Sequence, residues 1–174
     1  MRAPIKTKSD FEKLFQHVET MERPATYRLM LLLSVRLGLR PMELAGLERE
    51  WFSDDELRIP IGHSKRKAGR SLPLNEEIKA ALVAHMGNSG GRVFRNATGD
   101  AFTPHGITLA MKRLYKRAGI DGSCYSGRRS LATSLVDRNV NIAVVSQVLG
   151  HSSIATTQSY IGVTDNMMRR ALFA

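Results

Sequence analysis

The segment PATYRLMLLLSVRLG at residues 24–38 is apolar on most sides when it is placed on a helix. A helix with apolar residues around most of its circumference has to be covered by other elements on all of those sides. Pro24 suits the first turn of this helix and Gly38 suits its end. We therefore expect a buried central helix, with the rest of the chain packed around it.

Other helices are predicted from capping residues and from apolar spacing. Ser9-Asp10-Phe11-Glu12 reads as a capping box that opens the first helix, and Pro41 opens a short helix that leaves Arg40 at the junction of two helices. The remaining helices are expected to begin after one of these caps or openings: Asn75, Thr103-Pro104, Ser123 or Tyr125, Asn141, Ser153 and Thr164.

The stretch between residues 56 and 74 has a different character. ELRIPI and GRSLPL alternate apolar and polar residues, and the basic segment HSKRKAG separates them, which predicts a β-hairpin with a cationic tip. Residues 92–94, RVF, lie between glycines and predict a third short strand. The fold class expected is mainly α with a small three-stranded antiparallel β-sheet (α+β).

Composition limits the classes of partner. The 174 residues suffice for one core, and 26 Lys and Arg against 16 Asp and Glu give a formal charge of +10, which favours a polyanionic partner. The only cysteine, Cys124, forms no disulfide within the chain, which favours a reducing compartment. The longest apolar run is far shorter than the roughly 20 residues of a membrane span, so we expect an intracellular protein with no membrane partner.

The sequence offers the chemistry needed to break a phosphodiester without a metal ion. Such a reaction requires a nucleophile, cations around the non-bridging oxygens and an acid for the leaving oxygen. Arg40 and Arg128 offer forked donors to phosphate, and Tyr160 follows His151 by nine residues along the chain. Asp54-Asp55 has no obvious acidic partner for a metal pair, so we expect no metal and no cofactor.

The order of the motifs resembles that of the tyrosine recombinases of the phage integrase family, over nearly the whole chain. Four boxes carry the resemblance, in the family's order: Gly38-Leu39-Arg40-Pro41-Met42-Glu43-Leu44; Lys65 and Arg70 followed by Pro73-Leu74; Tyr125, Arg128, Arg129, Ala132 and Thr133; and Leu149-Gly150-His151 followed by Tyr160. The resemblance implies the tyrosine-recombinase catalytic-domain fold, with double-stranded DNA as substrate.

The resemblance also implies the roles of the site residues. Tyr160 is the expected nucleophile, which forms a 3′-phosphotyrosyl link, and Lys65 is the expected acid for the leaving oxygen, with Lys67 as its rival. Arg40 and Arg128 are expected to clamp the phosphate, His151 to hydrogen-bond it, and Glu43 to orient Arg40. The bond energy is kept in the intermediate, so no ATP is needed.

Two departures from the family pattern stand out. Tyr125 occupies the position of a histidine, and its phenol can donate a hydrogen bond but cannot act as a base near neutral pH, because the pKa of a tyrosine is about 10. The family usually carries a separate DNA-binding domain before the catalytic one, whereas the first helix is predicted within ten residues of Met1. We therefore expect residues 1–174 to form a single catalytic domain with no separate N-terminal core-binding domain.

The last segment, TDNMMRRALFA, is amphipathic. In the family this helix commonly docks onto a neighbouring protomer, so a tetramer on DNA is expected through this segment, with packing on its own domain as the alternative. We expect a protein that is encoded by a bacterium or a phage and that acts in the bacterial cytoplasm, in association with the nucleoid.

Three other functions remain open from the sequence. Residues 142–160 also read as a helix-turn-helix, which would suit a non-catalytic DNA-binding regulator. Tyr125 leaves room for a cleavage-deficient homologue of the recombinases. A topoisomerase-like nicking activity would use the same residues and differ only in whether DNA partners synapse.

Overall fold

The fold is taken from a computed structural model, which describes residues 5–63, 69–151, 153–161, 163 and 165–173, except for the side chains of Tyr160 and Asn166. Several sequence predictions fall outside this description: those on the cationic tip of the hairpin with Lys65 and Lys67, on Thr164 and on the side chain of Tyr160.

The described chain is mainly helical. Its elements in chain order are α1 (Lys8–Val18), α2 (Pro24–Arg36), α3 (Pro41–Gly46), a single 3-10 turn (Arg49–Trp51), β1 (Glu56–Ile59), β2 (Arg70–Pro73), α4 (Glu76–Met86), α5 (Pro104–Arg117), α6 (Ser126–Asp137), α7 (Ile142–Leu149), α8 (Ile154–Tyr160) and α9 (Asp165–Phe173).

Helix α2 lies at the centre of the fold, as its sequence predicts. It packs against α1, α4 and α6, and every residue from Leu29 to Val35 is buried. Burial of this many large apolar side chains on one helix is a main source of stability for the fold. Gly38, with φ of 63°, ends this part of the chain in the left-handed region, where glycine carries no steric penalty.

The N-cap of the first helix lies two residues before the predicted one. Its N-cap is Thr7, whose hydroxyl accepts from the backbone N–H of Asp10 at 3.1 Å, while the Asp10 carboxylate accepts from the Thr7 N–H at 2.9 Å. Both hydrogen bonds of a capping box are therefore made by these two residues. The prediction that Ser9 opens the helix is wrong because an aspartate at the third helical position closes the box earlier.

The predicted hairpin is confirmed, and the third strand is not. Strands β1 and β2 pair antiparallel from Glu56 opposite Pro73 to Ile59 opposite Arg70. In the described residues, 92–94 make only an isolated bridge of Arg92 with Glu48. The next residue, Arg95, makes a second isolated bridge with Ala101, and neither bridge extends into a ladder or involves β1 or β2.

The later caps agree closely with the sequence. The Asn75 side chain accepts from Ile78 N at 3.0 Å, that of Thr103 from Gly106 N at 3.0 Å and that of Asn141 from Ala143 N at 2.8 Å. Ser153 is at the N-cap of α8, as predicted, but its side chain makes no capping hydrogen bond.

Helices α6 and α7 share a small apolar cluster beside the main core. Ala132, Val145 and Leu149 are buried in it, with Leu131 among the partly buried residues packed around them. This cluster holds the end of α7 against α6, and it thereby places the segment after α7 close to Arg128.

Two properties of the described ranges bear on function. None of their helices is long and apolar enough to cross a membrane. Nor do these ranges bring together three or more His, Cys, Asp or Glu residues in a way that would hold a metal ion.

Candidate active site

Arg40 is held at the junction between α2 and α3 by its neighbour Glu43. The Glu43 carboxylate accepts from the backbone N–H of Arg40 at 2.7 Å and from its Nη1 at 3.3 Å, which closes the first turn of α3. Glu43 is fully buried, whereas 11% of the Arg40 side chain is exposed. A buried carboxylate needs hydrogen bonds and a positive partner, and Arg40 provides both to Glu43.

Arg128 lies on α6 and is fully buried. Its Nη1 donates to the carbonyl of Gly38 and its Nη2 donates to the carbonyl of Leu149. These bonds join the end of α2 to the end of α7 through one guanidinium. Arginine can do this because its donors form a rigid planar fork.

A third arginine joins the same site from the hairpin. Arg70, the first residue of β2, donates from Nη1 to the carbonyl of Val148 at 2.5 Å and from Nη2 to Glu43 at 2.9 Å. Only 8% of its side chain is exposed. Burial lowers the pKa of its guanidinium below the ordinary value, although Glu43 opposes this shift.

Three consecutive carbonyls at the end of α7 therefore accept from three different arginines. We call this arrangement the arginine cap: Arg70 bonds Val148, Arg128 bonds Leu149, and Arg40 bonds Gly150 at 3.2 Å. The last carbonyls of a helix have no partners within the helix and carry the negative end of its dipole. The cap satisfies them and concentrates three positive charges against one buried carboxylate.

His151 follows directly after the cap. Its Nε2 lies 2.9 Å from Nη2 of Arg128 and its Nδ1 lies 2.8 Å from the hydroxyl of Thr157 on α8. Because a guanidinium has only donors, Nε2 must accept, and Nδ1 then bears the proton and donates to Thr157. The contacts thus select the neutral tautomer of His151 protonated on Nδ1.

The structure brings together three of the predicted site residues: Arg40, Arg128 and His151. The backbone of Tyr160 ends α8, which packs on α6 and α7 and whose fully buried Thr157 contacts His151. Tyr125 stands at the N-cap of α6, one turn before Arg128, and is 40% exposed.

Sequence reasoning missed two residues of the site. Arg70 entered the sequence analysis only as part of the motif that contains Lys65, and the sequence gives no sign that its side chain turns inward to Glu43. Thr157 lies within a run of small polar residues, ATTQS, that looks exposed. The only signal for Thr157 is its spacing of three from Tyr160 on one helix.

Known proteins share both the sequence and the fold. The family model described as "Phage integrase family" matches residues 6–167. The tyrosine recombinase XerA of Thermococcus kodakarensis is 31% identical over 150 residues, which cover 83% of this chain and 53% of that protein. The chain thus spans about half the length of the curated relatives it matches.

Two solved structures show the same fold at low identity. The catalytic domain of bacteriophage HP1 integrase aligns with a TM-score of 0.74 and 19% identity, over 98% of this chain and 94% of that one. XerH site-specific recombinase, in a post-cleavage complex with its palindromic difH substrate, aligns with a TM-score of 0.79 and 21% identity, over 99% of this chain and 53% of that one. The fold is therefore that of a tyrosine-recombinase catalytic domain.

Proposed function

The chain belongs to the phage integrase family, and we propose that it is the catalytic domain of a site-specific recombinase that cleaves and rejoins DNA through a 3′-phosphotyrosyl intermediate. The observation that carries the proposal is the arginine cap. Its members Arg40 and Arg128, together with His151 next to it, lie beside α8, the helix that ends at Tyr160. The proposed reaction is inferred from the family, and the residues proposed to carry it out are those of this cluster.

In the proposed reaction, the hydroxyl of Tyr160 attacks the scissile phosphorus and releases its proton to water. A bond forms between phosphorus and the tyrosine oxygen, and the bond to the 5′ oxygen breaks. Lys65 gives a proton to that leaving oxygen, so a free 5′-hydroxyl results. The reverse reaction with the 5′-hydroxyl of a partner strand rejoins the DNA and releases Tyr160.

The arginines would stabilise the charge that the phosphate gains in the transition state. Arg40 and Arg128 are oriented before substrate binds, since each is fixed by protein acceptors. Once the phosphate is bound, donors held in this way need no rearrangement during the chemical step, and loss of one typically costs about 100-fold or more in rate. Tyr125, exposed at the start of the same helix as Arg128, would donate a further hydrogen bond to a phosphate oxygen.

Double-stranded DNA is the proposed partner. The formal charge of +10 suits a polyanion, and binding of this kind weakens steeply as salt is raised. The XerH complex supports this proposal, because a site-specific recombinase with this fold is bound there to its palindromic difH substrate. DNA as substrate would put the activity in the cytoplasm, with the nucleoid.

We further propose that α9 joins copies of the chain into a tetramer on DNA. Leu172 and Phe173 on α9 are 72% and 80% exposed, and exposed large apolar residues in a group mark an interaction surface. Arg170 of the same helix bonds Asp137 of α6 at 3.0 Å, so one side of α9 is held on its own domain. Sedimentation of the DNA complex should give four copies for the wild type and fewer for Phe173→Ser.

The described residues give no support to the interpretation of the chain as a non-catalytic helix-turn-helix regulator. In a helix-turn-helix, the second helix presents its polar side chains to the DNA groove. Thr157, in the middle of that helix, is instead fully buried against His151.

The test is capture of the covalent intermediate. Nicked duplexes, in which the released fragment diffuses away, are incubated with the protein, and adducts are resolved on a denaturing gel. Random and flanking DNA are screened first, because the target site has to be found. We expect an adduct with the wild type and none with Tyr160→Phe, which lacks only the hydroxyl. Absence of an adduct on a duplex that the protein binds specifically would reject the proposal and favour a cleavage-deficient DNA-binding protein.

A further inference from the structure

Arg70 belongs to the arginine cap but has no role in the proposed reaction so far. We propose that Arg70 is a positioning residue, which keeps Arg40 effective as a positively charged ligand of the scissile phosphate by compensating the buried carboxylate of Glu43. The proposal rests on the proposed function, since it concerns the site where Tyr160 reacts.

The charges around Glu43 give the first reason. Glu43 lies 3.3 Å from Nη1 of Arg40 and 2.9 Å from Nη2 of Arg70. Without Arg70, the pair of Arg40 and Glu43 would have no net charge, and an approaching phosphate would meet only a dipole. With Arg70 the trio has a net positive charge, and charges interact more strongly in a buried site than in water.

The geometry gives the second reason. One guanidinium of Arg70 contacts both Glu43 and the Val148 carbonyl, while Arg40 contacts both Glu43 and the Gly150 carbonyl. The two arginines therefore both contact the carboxylate of Glu43. They also both bond the end of α7, at carbonyls that are two residues apart. Loss of Arg70 would free Glu43 to take more of the donors of Arg40, which would turn them away from the phosphate.

Contacts at Gly150 show that Arg70 is fitted closely to this helix end. Gly150 has φ of 60°, and a Cβ built there would lie 3.2 Å from Cδ of Arg70 and 3.3 Å from its Nη1. The carbonyl that Arg40 binds therefore belongs to a residue that also packs against Arg70.

A purely structural role is the rival explanation. A buried ion pair contributes little net stability, but removal of one partner leaves an uncompensated charge and destabilises the fold. Stability loss alone would thus not separate the two roles. The separating readout is whether the rate defect depends on the charge of the scissile phosphate.

The experiment uses a nicked duplex on which the wild type forms the Tyr160 adduct, so failure of the proposed function is seen before any Arg70 variant is made. Single-turnover adduct formation is measured for Arg70→Gln, for Arg70→Lys and for the matched control Arg58→Gln. Arg58 lies on the neighbouring strand β1 with its side chain 76% exposed. DNA affinity and thermal unfolding are recorded for each variant.

We expect Arg70→Gln to react about 30-fold more slowly, a smaller loss than the roughly 100-fold of a direct phosphate donor. Arg70→Lys should recover most of the rate, and Arg58→Gln should match the wild type. On a duplex whose scissile phosphate is replaced by an uncharged methylphosphonate, the defect of Arg70→Gln should shrink to less than about threefold, because the charge that Arg70 preserves then has little to act on. An equal defect on both substrates, or no defect on the normal one, would overturn the proposal.

The variant Glu43→Gln provides a second test, which remains possible if the single variant Arg70→Gln does not fold. In Glu43→Gln the carboxylate charge is gone, so the added change Arg70→Gln should slow adduct formation by less than about threefold, as expected for coupled neighbours. A further loss as large as in the wild-type background would show that Arg70 acts independently of Glu43, and would contradict the proposal.

Discussion

Nη2 of Arg128 lies 2.9 Å from Nε2 of His151, so two of the proposed phosphate ligands contact each other. The guanidinium donates and the imidazole accepts, which leaves Nε2 without a proton. To donate to a phosphate oxygen from Nε2, His151 would have to gain a proton there. A bound phosphate therefore has to replace the contact between Arg128 and His151, and the hydrogen bond from Nδ1 to Thr157 keeps the ring oriented during this exchange.

Thr157→Val should slow adduct formation by about tenfold, which corresponds to about 1.4 kcal/mol of barrier. The substitution keeps the shape of the side chain and removes the hydroxyl that lies 2.8 Å from Nδ1 of His151. Thr157→Ser, which keeps the hydroxyl, should retain most of the rate. Single-turnover gels on the nicked duplex make the comparison, and equal rates for Val and the wild type would show that this hydrogen bond does not orient His151.

Gly38→Ala should destabilise the protein more than Gly119→Ala does. Both glycines have positive φ, 63° and 68°, where alanine costs about 1–2 kcal/mol. A Cβ on Gly38 would also lie 2.9 Å from Leu149, whereas a Cβ on Gly119 would meet nothing within 4 Å. We expect an excess loss of about 1–3 kcal/mol at Gly38, typical of overpacking, in free energies of unfolding from urea titration. Equal losses of unfolding free energy for the two variants would mean that Leu149, at the end of α7, can move away from the added Cβ at little cost.

His85 should make the protein less stable as the pH falls below neutrality. Its ring contacts the hydroxyl of Thr26 at 3.3 Å and the carbonyl of Val93 at 2.8 Å. Burial holds the pKa of His85 below its ordinary value of 6.5, and nearby Arg23 acts in the same direction. The unfolded chain therefore binds the proton first, so stability is complete above pH 6.5 and is lost as the pH falls from there toward the folded pKa.

The check is the free energy of unfolding of His85→Gln between pH 7.5 and 5. We expect this variant to lose less stability over that range than the wild type does. His105→Gln, at an exposed position on α5, should keep the pH dependence of the wild type. Parallel curves for all three proteins would show that His85 contributes nothing to it.

Tyr125→Phe should lower the rate of adduct formation by about tenfold, the effect of one lost hydrogen bond to a charged group. Tyr125→His restores a donor at the same place, and its rate should exceed that of the Phe variant. Because Tyr125 is 40% exposed, neither change should alter thermal unfolding by much. If Phe reacts as fast as Tyr, the phenol has no part in the reaction.

Local signals in the sequence were sufficient for most of the helices and for the hairpin. Asn75, Thr103 and Asn141 cap helices where they were expected to, because a capping hydrogen bond spans only two or three residues. The third strand was not confirmed, since a strand depends on a partner that local sequence does not specify. The motif order also indicated the family and three residues that converge: Arg40, Arg128 and His151.

The sequence by itself determined most of the helices, the hairpin, the central position of α2 and the family, because apolar spacing, caps and motifs are properties of short segments. Only the tertiary structure decided that Arg70, Arg128 and Arg40 bond Val148, Leu149 and Gly150 in turn. These arginines come from β2, α6 and the start of α3, as far as 110 residues from their acceptors. Such partners are chosen by the packing of helices and hairpin around a shared core, which brings distant donors to carbonyls that the end of α7 leaves unsatisfied.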